Sequence, residues 1–278
     1  MSSFGRLAEY ATAALLVSIV SGFVVAYQYE VADPFISCVA MEAAIPFGAF
    51  FRALHFWSSQ AFFLLMWIHI AQSIPRLEKL KSSPRGRIYW AVLILGIVPS
   101  GVFALFSGYV LRWDATGKAA GTIAEHLLLD IPLAGRSLDR FFIAIANEGL
   151  DRVYAVHILL AALLWGIGTW YHTRRVFLKW NAWGLILASC GLVSTVFHAP
   201  IDIPQDMTSL IKGPWFFLGV QELLRYLPPL FAGVIYPAMP VMVLAGLPWT
   251  KDTKPWLWSI AGWGALYAGL VLIMCMRG

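Results

Sequence analysis

Two pairs of histidines dominate the chemistry this chain can do. His55 and His69 lie 14 residues apart in one apolar stretch, and His157 and His172 lie 15 apart in another. In an α-helix, 14 residues rise roughly 21 Å and turn about 1400°, some 40° short of four turns. Fifteen rise roughly 22.5 Å and overshoot four turns by about 60°. Both imidazoles of each helix therefore point to broadly one side, one near each end. Two such helices side by side offer two facing pairs of imidazoles at two depths. A facing pair can hold one haem iron from both sides. Two irons about 20 Å apart would carry electrons across a bilayer whose apolar core is about 30 Å thick. Zinc suits the pattern poorly, because it takes compact four-ligand sets. A lone histidine in a span can also serve as a polar tie to a neighbouring helix. Four at matched spacing and depth favour haem ligation, because ionisable groups are rare there and usually functional.

The elements that must position these residues are membrane helices. The chain is 60% hydrophobic, 13% charged and 15% aromatic, with a mean hydropathy of +0.73. Few soluble domains have such a composition. Apolar segments near 10–29, 50–73, 89–111, 153–176, 182–198, 227–247 and 256–275 predict an all-α polytopic bundle of about seven spans. Each is close to the roughly 20 residues a spanning helix needs. The segment at 227–247 carries Pro228, Pro229, Pro237 and Pro240. Neighbouring helices can satisfy the backbone groups that proline frees. No short apolar core with a cleavage site opens the chain, so the first segment is read as a retained anchor. Cys38, Cys190 and Cys275 are scattered and no Cys-x-x-Cys-His occurs, which excludes a covalently attached c-type haem.

Charge sets the expected orientation. The net charge of +5 lies between the apolar segments, a pattern of lipid topology rather than of nucleic-acid binding. Arg76, Lys79, Lys81, Arg85 and Arg87 follow the second span against Glu78. Arg174, Arg175 and Lys179 follow the fourth, and Lys251 and Lys254 follow the sixth against Asp252. The loop from Glu30 to Ala49 has three acids and no base. Positive loops stay cytoplasmic, so the N-terminus is expected inside, in a bacterial-type cytoplasmic (inner) membrane. The second and fourth spans then run in the same direction. His55 pairs with His157 toward the outer face, and His69 with His172 toward the inner.

Cationic side chains stand beside these ligands. Arg52 precedes His55 by three residues, and Arg152 precedes His157 by five. A guanidinium fork suits a haem propionate, although long cationic side chains also anchor at headgroups. Arg85 and Arg87 are the inner candidates. Residues 112–152 and 199–226 are too long for simple turns, and long loops tend to carry function. His198 and His126 lie outside the pairs and read as interfacial, with His198 at the outer end of the fifth span.

Several stretches resemble cytochrome b, the membrane subunit of cytochrome bc and bf quinol-oxidising complexes. Arg52-Ala53-Leu54-His55-Phe56-Trp57 through Trp67-Ile68-His69 resembles that family's second helix. Ser107-Gly108-Tyr109-Val110-Leu111-Arg112-Trp113-Asp114 is similar to the end of its third helix, and Arg152 to His157 to the start of its fourth. Ser21-Gly22-Phe23 resembles the first-helix Thr-Gly, where glycine lets a haem approach. Lys212-Gly213-Pro214-Trp215-Phe216 through Glu222 resembles the loop usually written Pro-Glu-Trp-Tyr. The resemblance implies a four-helix dihaem core over 1–180 and a three-helix quinol-site region over 181–278. It implies two non-covalent haems b, held by His55, His69, His157 and His172. It also implies a menaquinone or ubiquinone substrate bound near Pro214, Trp215 and Phe216, with Gly22 and Gly108 close to cofactor. Expected partners are membrane lipid, a Rieske iron–sulfur protein or a c-type, even multihaem, cytochrome, and a second copy within a larger complex.

The same comparison exposes departures. Pro214 stands where the family has the carboxylate thought to accept a quinol proton, Phe216 where it has tyrosine, and Arg112 where it has proline. Pro214 offers neither an acid nor a backbone N–H. The remaining candidates are Asp202, Asp206, Glu222 and His198. Glu222 is the expected replacement base, on a short helix after Trp215, against a plainer pairing with Arg225 at i,i+3. Two other readings remain: a haem-b anchor for a dehydrogenase or multihaem-cytochrome complex, and a transporter subunit without haem.

Overall fold

The computed structural model describes residues 3–172, 180–202 and 211–277. Among them every regular element is helical. Each of the seven expected segments is helical over most of its described residues. Leu7–Gln28, Pro84–Arg112, Asp151–His172, Leu230–Trp249 and Lys254–Met276 are long and apolar enough to cross a bilayer. A sixth span comes from the helical stretch Gly48–Lys81, which meets Pro34–Ala43 at 111°. The remaining helix, Trp180–Val196, is apolar but only 17 residues long, so by length alone it falls short of a seventh span. Side chains such as Phe23, Leu192 and Leu272 are more than 60% exposed. Helices this apolar with such surfaces belong in lipid, and the protein is an integral membrane protein.

Local sequence fixes where the helices begin and how they bend. Ser83 caps the Pro84–Leu111 helix, its hydroxyl accepting from Gly86 N at 3.0 Å, and Pro84 fills a first-turn position whose N–H would be unpaired. Asp114 caps Ala115–Leu129 in the same way through Gly117 N at 2.8 Å. The 112–152 connection is built of helices Ala115–Leu129, Gly135–Phe142 and Ile145–Glu148. Pro237 and Pro240 lie in the Tyr236–Gly246 helix, and the turn before it, Leu230–Ile235, is widened to i→i+5 bonding.

The chain divides into two compact units, each assembled from separated stretches. The first takes residues 1–79, 100–106 and 157–201. In it Val17, Leu54 and Cys190 form a buried cluster, with Phe50, Phe51, Trp183 and Ile186 packed around it. Small side chains let its helices close: Ala13, Ala14, Ala53 and Ser58 are wholly buried. The second unit takes residues 80–99, 107–156 and 202–278. There Leu223, Ala232 and Leu270 make a core flanked by Leu224 and Tyr236. Trp90 ties the Pro84–Leu111 helix to Tyr236–Gly246 by donating to the Leu244 carbonyl at 2.7 Å. All four paired histidines fall in the first unit, and the Trp215 loop falls in the second.

Candidate functional site

His55 and His157 are brought together by two different helices. His55 lies on Gly48–Ser73 and His157 on Asp151–Leu163. Their ring centres are 6.1 Å apart, with planes at 72°. Nδ1 of His55 donates to the Ser18 carbonyl at 2.8 Å. A carbonyl can only accept, so Nδ1 carries the proton and Nε2 keeps its lone pair for a ligand. The His157 ring is hydrogen-bonded to the Ala104 backbone. Gly22 leaves room for this arrangement, since a Cβ there would lie 2.9 Å from His55 Cε1 and 3.0 Å from Nδ1. The glycine of the first helix thus clears the His55 ring itself.

The second pair repeats the first. His69 and His172 have ring centres 6.0 Å apart and planes at 66°. The extra residue between His157 and His172 has a structural answer. From Leu164 to His172 the fourth span widens into i→i+5 turns. A wide turn takes up a residue without advancing the face, which offsets the overshoot that regular α-geometry predicts. An imidazole nitrogen sits about 2 Å from a first-row metal, and a ring centre lies about 1.2 Å behind it, so two rings flanking one iron should be about 6.3 Å apart. Both pairs fit that spacing. Among the described residues no three His, Cys, Asp or Glu side chains cluster as a metal site.

The arginines have clear surroundings. Arg52 is buried and spreads its fork over three acceptors: Glu42 Oε2 at 2.8 Å, Pro200 O at 3.2 Å and Ala199 O at 2.5 Å. Glu42 also receives a hydrogen bond from the His198 ring. Arg52 therefore clamps Pro34–Ala43 and the end of the Trp180–Val196 segment around the His55 helix. Arg152 is half-buried and acts electrostatically on Asp139, whose carboxyl is pushed up chiefly by burial. Arg85 is exposed and Arg87 donates to the Lys81 carbonyl at 2.9 Å. His126 is exposed, bonded to the Thr122 carbonyl at 2.7 Å. Gly108 is half-buried near the end of Pro84–Leu111. Asp206, Arg174, Arg175 and Lys179 lie outside the described residues.

The second unit holds the loop. Pro214 is buried, and Trp215 is 44% exposed with its ring 5.6 Å from Phe216. Phe216 meets the Tyr109 ring edge-on at 5.7 Å, and its carbonyl accepts from the Tyr267 hydroxyl at 2.5 Å. The expected short helix follows at Leu218–Leu223. Gly219 is required there, because a Cβ would come within 2.5 Å of the Tyr267 ring.

Glu222 is wholly buried. Its main partner is Arg277, 55 residues away, which donates to both carboxylate oxygens at 2.7 and 2.6 Å, while the Tyr226 hydroxyl donates at 2.6 Å. The Arg277 bonds, helped by Tyr226, hold the Glu222 carboxyl below the usual carboxylate range, and Arg225 adds only a weaker charge effect. This is the setting of a fixed anion rather than of a group poised to take up a proton.

Comparison with known proteins completes this picture. A family model described as "Cytochrome b/b6/petB" matches residues 1–173. The chain belongs to the cytochrome b family. A "Cytochrome b" from Toxicocalamus preussi is 24% identical over 295 residues, covering 90% of this chain and 75% of that relative. A solved structure, "Hyperthermophilic respiratory Complex III", superposes with a TM-score of 0.71 at 19% identity, over 100% of this chain and 85% of the other. The fold is that of a cytochrome b-type membrane bundle, and the family is one of quinol-oxidising electron-transfer subunits.

Several residues at these sites escaped sequence reasoning. Ser18 and Ala104 bind His55 and His157 through the backbone, which leaves no mark in the sequence. Glu42 and Arg277 find partners far along the chain. One signal was readable: Asp114 with Gly117 three residues on is a helix-start pattern.

Proposed function

We propose that this chain is the dihaem cytochrome b subunit of a quinol-oxidising complex. In this reading electrons pass between an outer quinol site and an inner quinone site, with protons released outside. The observation that carries it is the pair of facing histidine couples, 6.1 and 6.0 Å between ring centres. His55 and His157 hold the outer haem b, and His69 and His172 the inner. When bound, the haems supply one-electron transfer across the apolar core. The protein's own work is to fix ring orientation and insulate the route. Ser18 holds the His55 tautomer and Gly22 clears its ring.

Residues 1–180 carry the haem core and 181–278 the quinol-site region. Pro214, Trp215 and Phe216 line the quinol pocket, Glu222 with Arg277 anchors the helix behind it, and Gly108 and Arg152 serve the cofactors. The substrate is menaquinol or ubiquinol. The electron partner is a Rieske iron–sulfur protein or a c-type cytochrome, within a dimeric complex of the inner membrane with the N-terminus cytoplasmic.

Adding a short-chain quinol to membranes containing the complex tests this reading. Haem b should be reduced, and a reduced-minus-oxidised spectrum should resolve two components on potentiometric titration. A chain without haem, or haem indifferent to quinol, overturns it.

A further inference from the structure

Position 214 cannot take a quinol proton, and Glu222 is tied to Arg277. The second unit contains another carboxylate connected to the same loop. Arg112 is the link. Its guanidinium lies 4.6 Å above the Tyr109 ring, whose edge meets Phe216 at 5.7 Å. The same guanidinium contacts Asp114 Oδ2 at 3.1 Å and Asp202 Oδ2 at 3.6 Å. Three contacts therefore run from the loop residue Phe216 to Asp202.

The two acids are differently placed. The Asp114 side chain has no exposed surface, and its oxygens are occupied by Gly117 N, Asp202 N and Arg112. It is a structural anion that caps a helix and holds the Asp202 backbone in position. The Asp202 side chain is 47% exposed. Its Oδ2 accepts from the Thr116 hydroxyl. One carboxylate is locked, while its neighbour is oriented at one oxygen and still open to water.

We propose that Asp202 is the proton acceptor of quinol oxidation in this chain, oriented by Thr116 and Arg112. This inference rests on the quinol-oxidising reading above. A quinol loses two protons with its two electrons: one O–H bond breaks as a new O–H bond forms on the Asp202 carboxylate, and the proton of the other O–H passes to water. The two electrons leave singly, one to haem b and one to the iron–sulfur or c-type acceptor. Asp202 then gives its proton to water from its exposed side. The charged and titratable groups facing it among the described residues are Arg112, Asp114 and Tyr109. Arg112, which replaces the family's proline, thus compensates for the carboxylate that Pro214 replaces. Its charge keeps two adjacent acids together beside an apolar loop, and its plane stacks toward that loop.

The test is quinol-driven haem b reduction, followed from pH 5 to pH 9 in membranes holding the whole complex. A positioned base contributes on the order of 100-fold or more. Asp202→Asn should lower the rate by about that factor and abolish the acid limb of the pH profile. Asp202→Glu should restore both in large part. Thr116→Val, which removes the hydroxyl donor, should move the acid limb to higher pH, because the charged carboxylate loses a stabilising bond. Haem content confirms assembly, and if Asp202→Asn fails to assemble, Asp202→Glu and Thr116→Val decide. An unmoved pH profile in the assembled variants overturns the assignment while leaving the quinol-oxidising reading intact. Failure of the wild-type complex to reduce haem with quinol overturns both.

Discussion

His55 and His157 face each other with ring centres 6.1 Å apart, and each ring is tied by hydrogen bond to a main chain outside its own helix. The protein's own main chain thus sets the orientation of both imidazoles. Preorganisation of this kind matters for a redox cofactor, because ligand orientation and basicity tune the metal. His69 and His172 reach 6.0 Å despite a longer residue spacing on one helix, because the wide turns after Leu164 absorb the difference.

Gly22 should be intolerant of side chains. A Cβ there falls 2.9 Å from His55 Cε1, and the His55–Ser18 bond resists the ring's retreat. Gly22→Val is expected to shift or eliminate one b-type component in a redox titration while sparing the other. A titration identical to wild type would show that the ring moves aside freely.

Arg52 serves as a clamp in this structure. Its fork meets Glu42 and two carbonyls beyond Val196. Arg52→Ala should cost roughly 2 kcal/mol, the scale of a lost charge-assisted hydrogen bond. Arg52→Lys should recover little, since an ammonium cannot reproduce the planar fork. The check is the thermal midpoint of the detergent-solubilised complex. Unchanged stability with a shifted outer-haem potential would instead assign Arg52 to a propionate.

The Glu222–Arg277 pair predicts a pH dependence with a definite sign. The folded-state carboxyl is held below its usual range by Arg277. Its contribution to stability is therefore full above the usual carboxylate range and is lost as pH falls below that range toward the lowered folded-state value. Between about pH 5 and about pH 3 the wild-type melting temperature should drop more than that of Glu222→Gln. Equal drops would mean the pair contributes nothing pH-dependent.

Much of the site was legible in the sequence because it follows helical geometry. The 14- and 15-residue spacings gave the pairing of His55 with His157 and of His69 with His172, and both pairs meet. The helical nature of the described parts of the seven apolar segments was also readable, from length and hydropathy. What was hidden depends on contacts distant along the chain. Arg277 lies 55 residues from Glu222, and i,i+3 reasoning pointed to Arg225 instead. Arg112 looked like a defect against the family pattern until Asp114 and Asp202 appeared beside it. The wide turns after Leu164 leave no simple residue signature, so α-helical arithmetic left the fourth span some 60° out of phase.

Single-ligand variants should separate the two proposed haems. His55→Ala is expected to remove one wave of a potentiometric titration and His69→Ala the other, because each loses one of two axial ligands. Loss of the same wave from both variants would contradict the pairing.

The haem count of the purified chain tests the central claim most directly. A pyridine haemochrome assay against polypeptide concentration should return about two haems b per chain, one for each facing histidine pair. One haem per chain, or a haem c spectrum, would contradict the account.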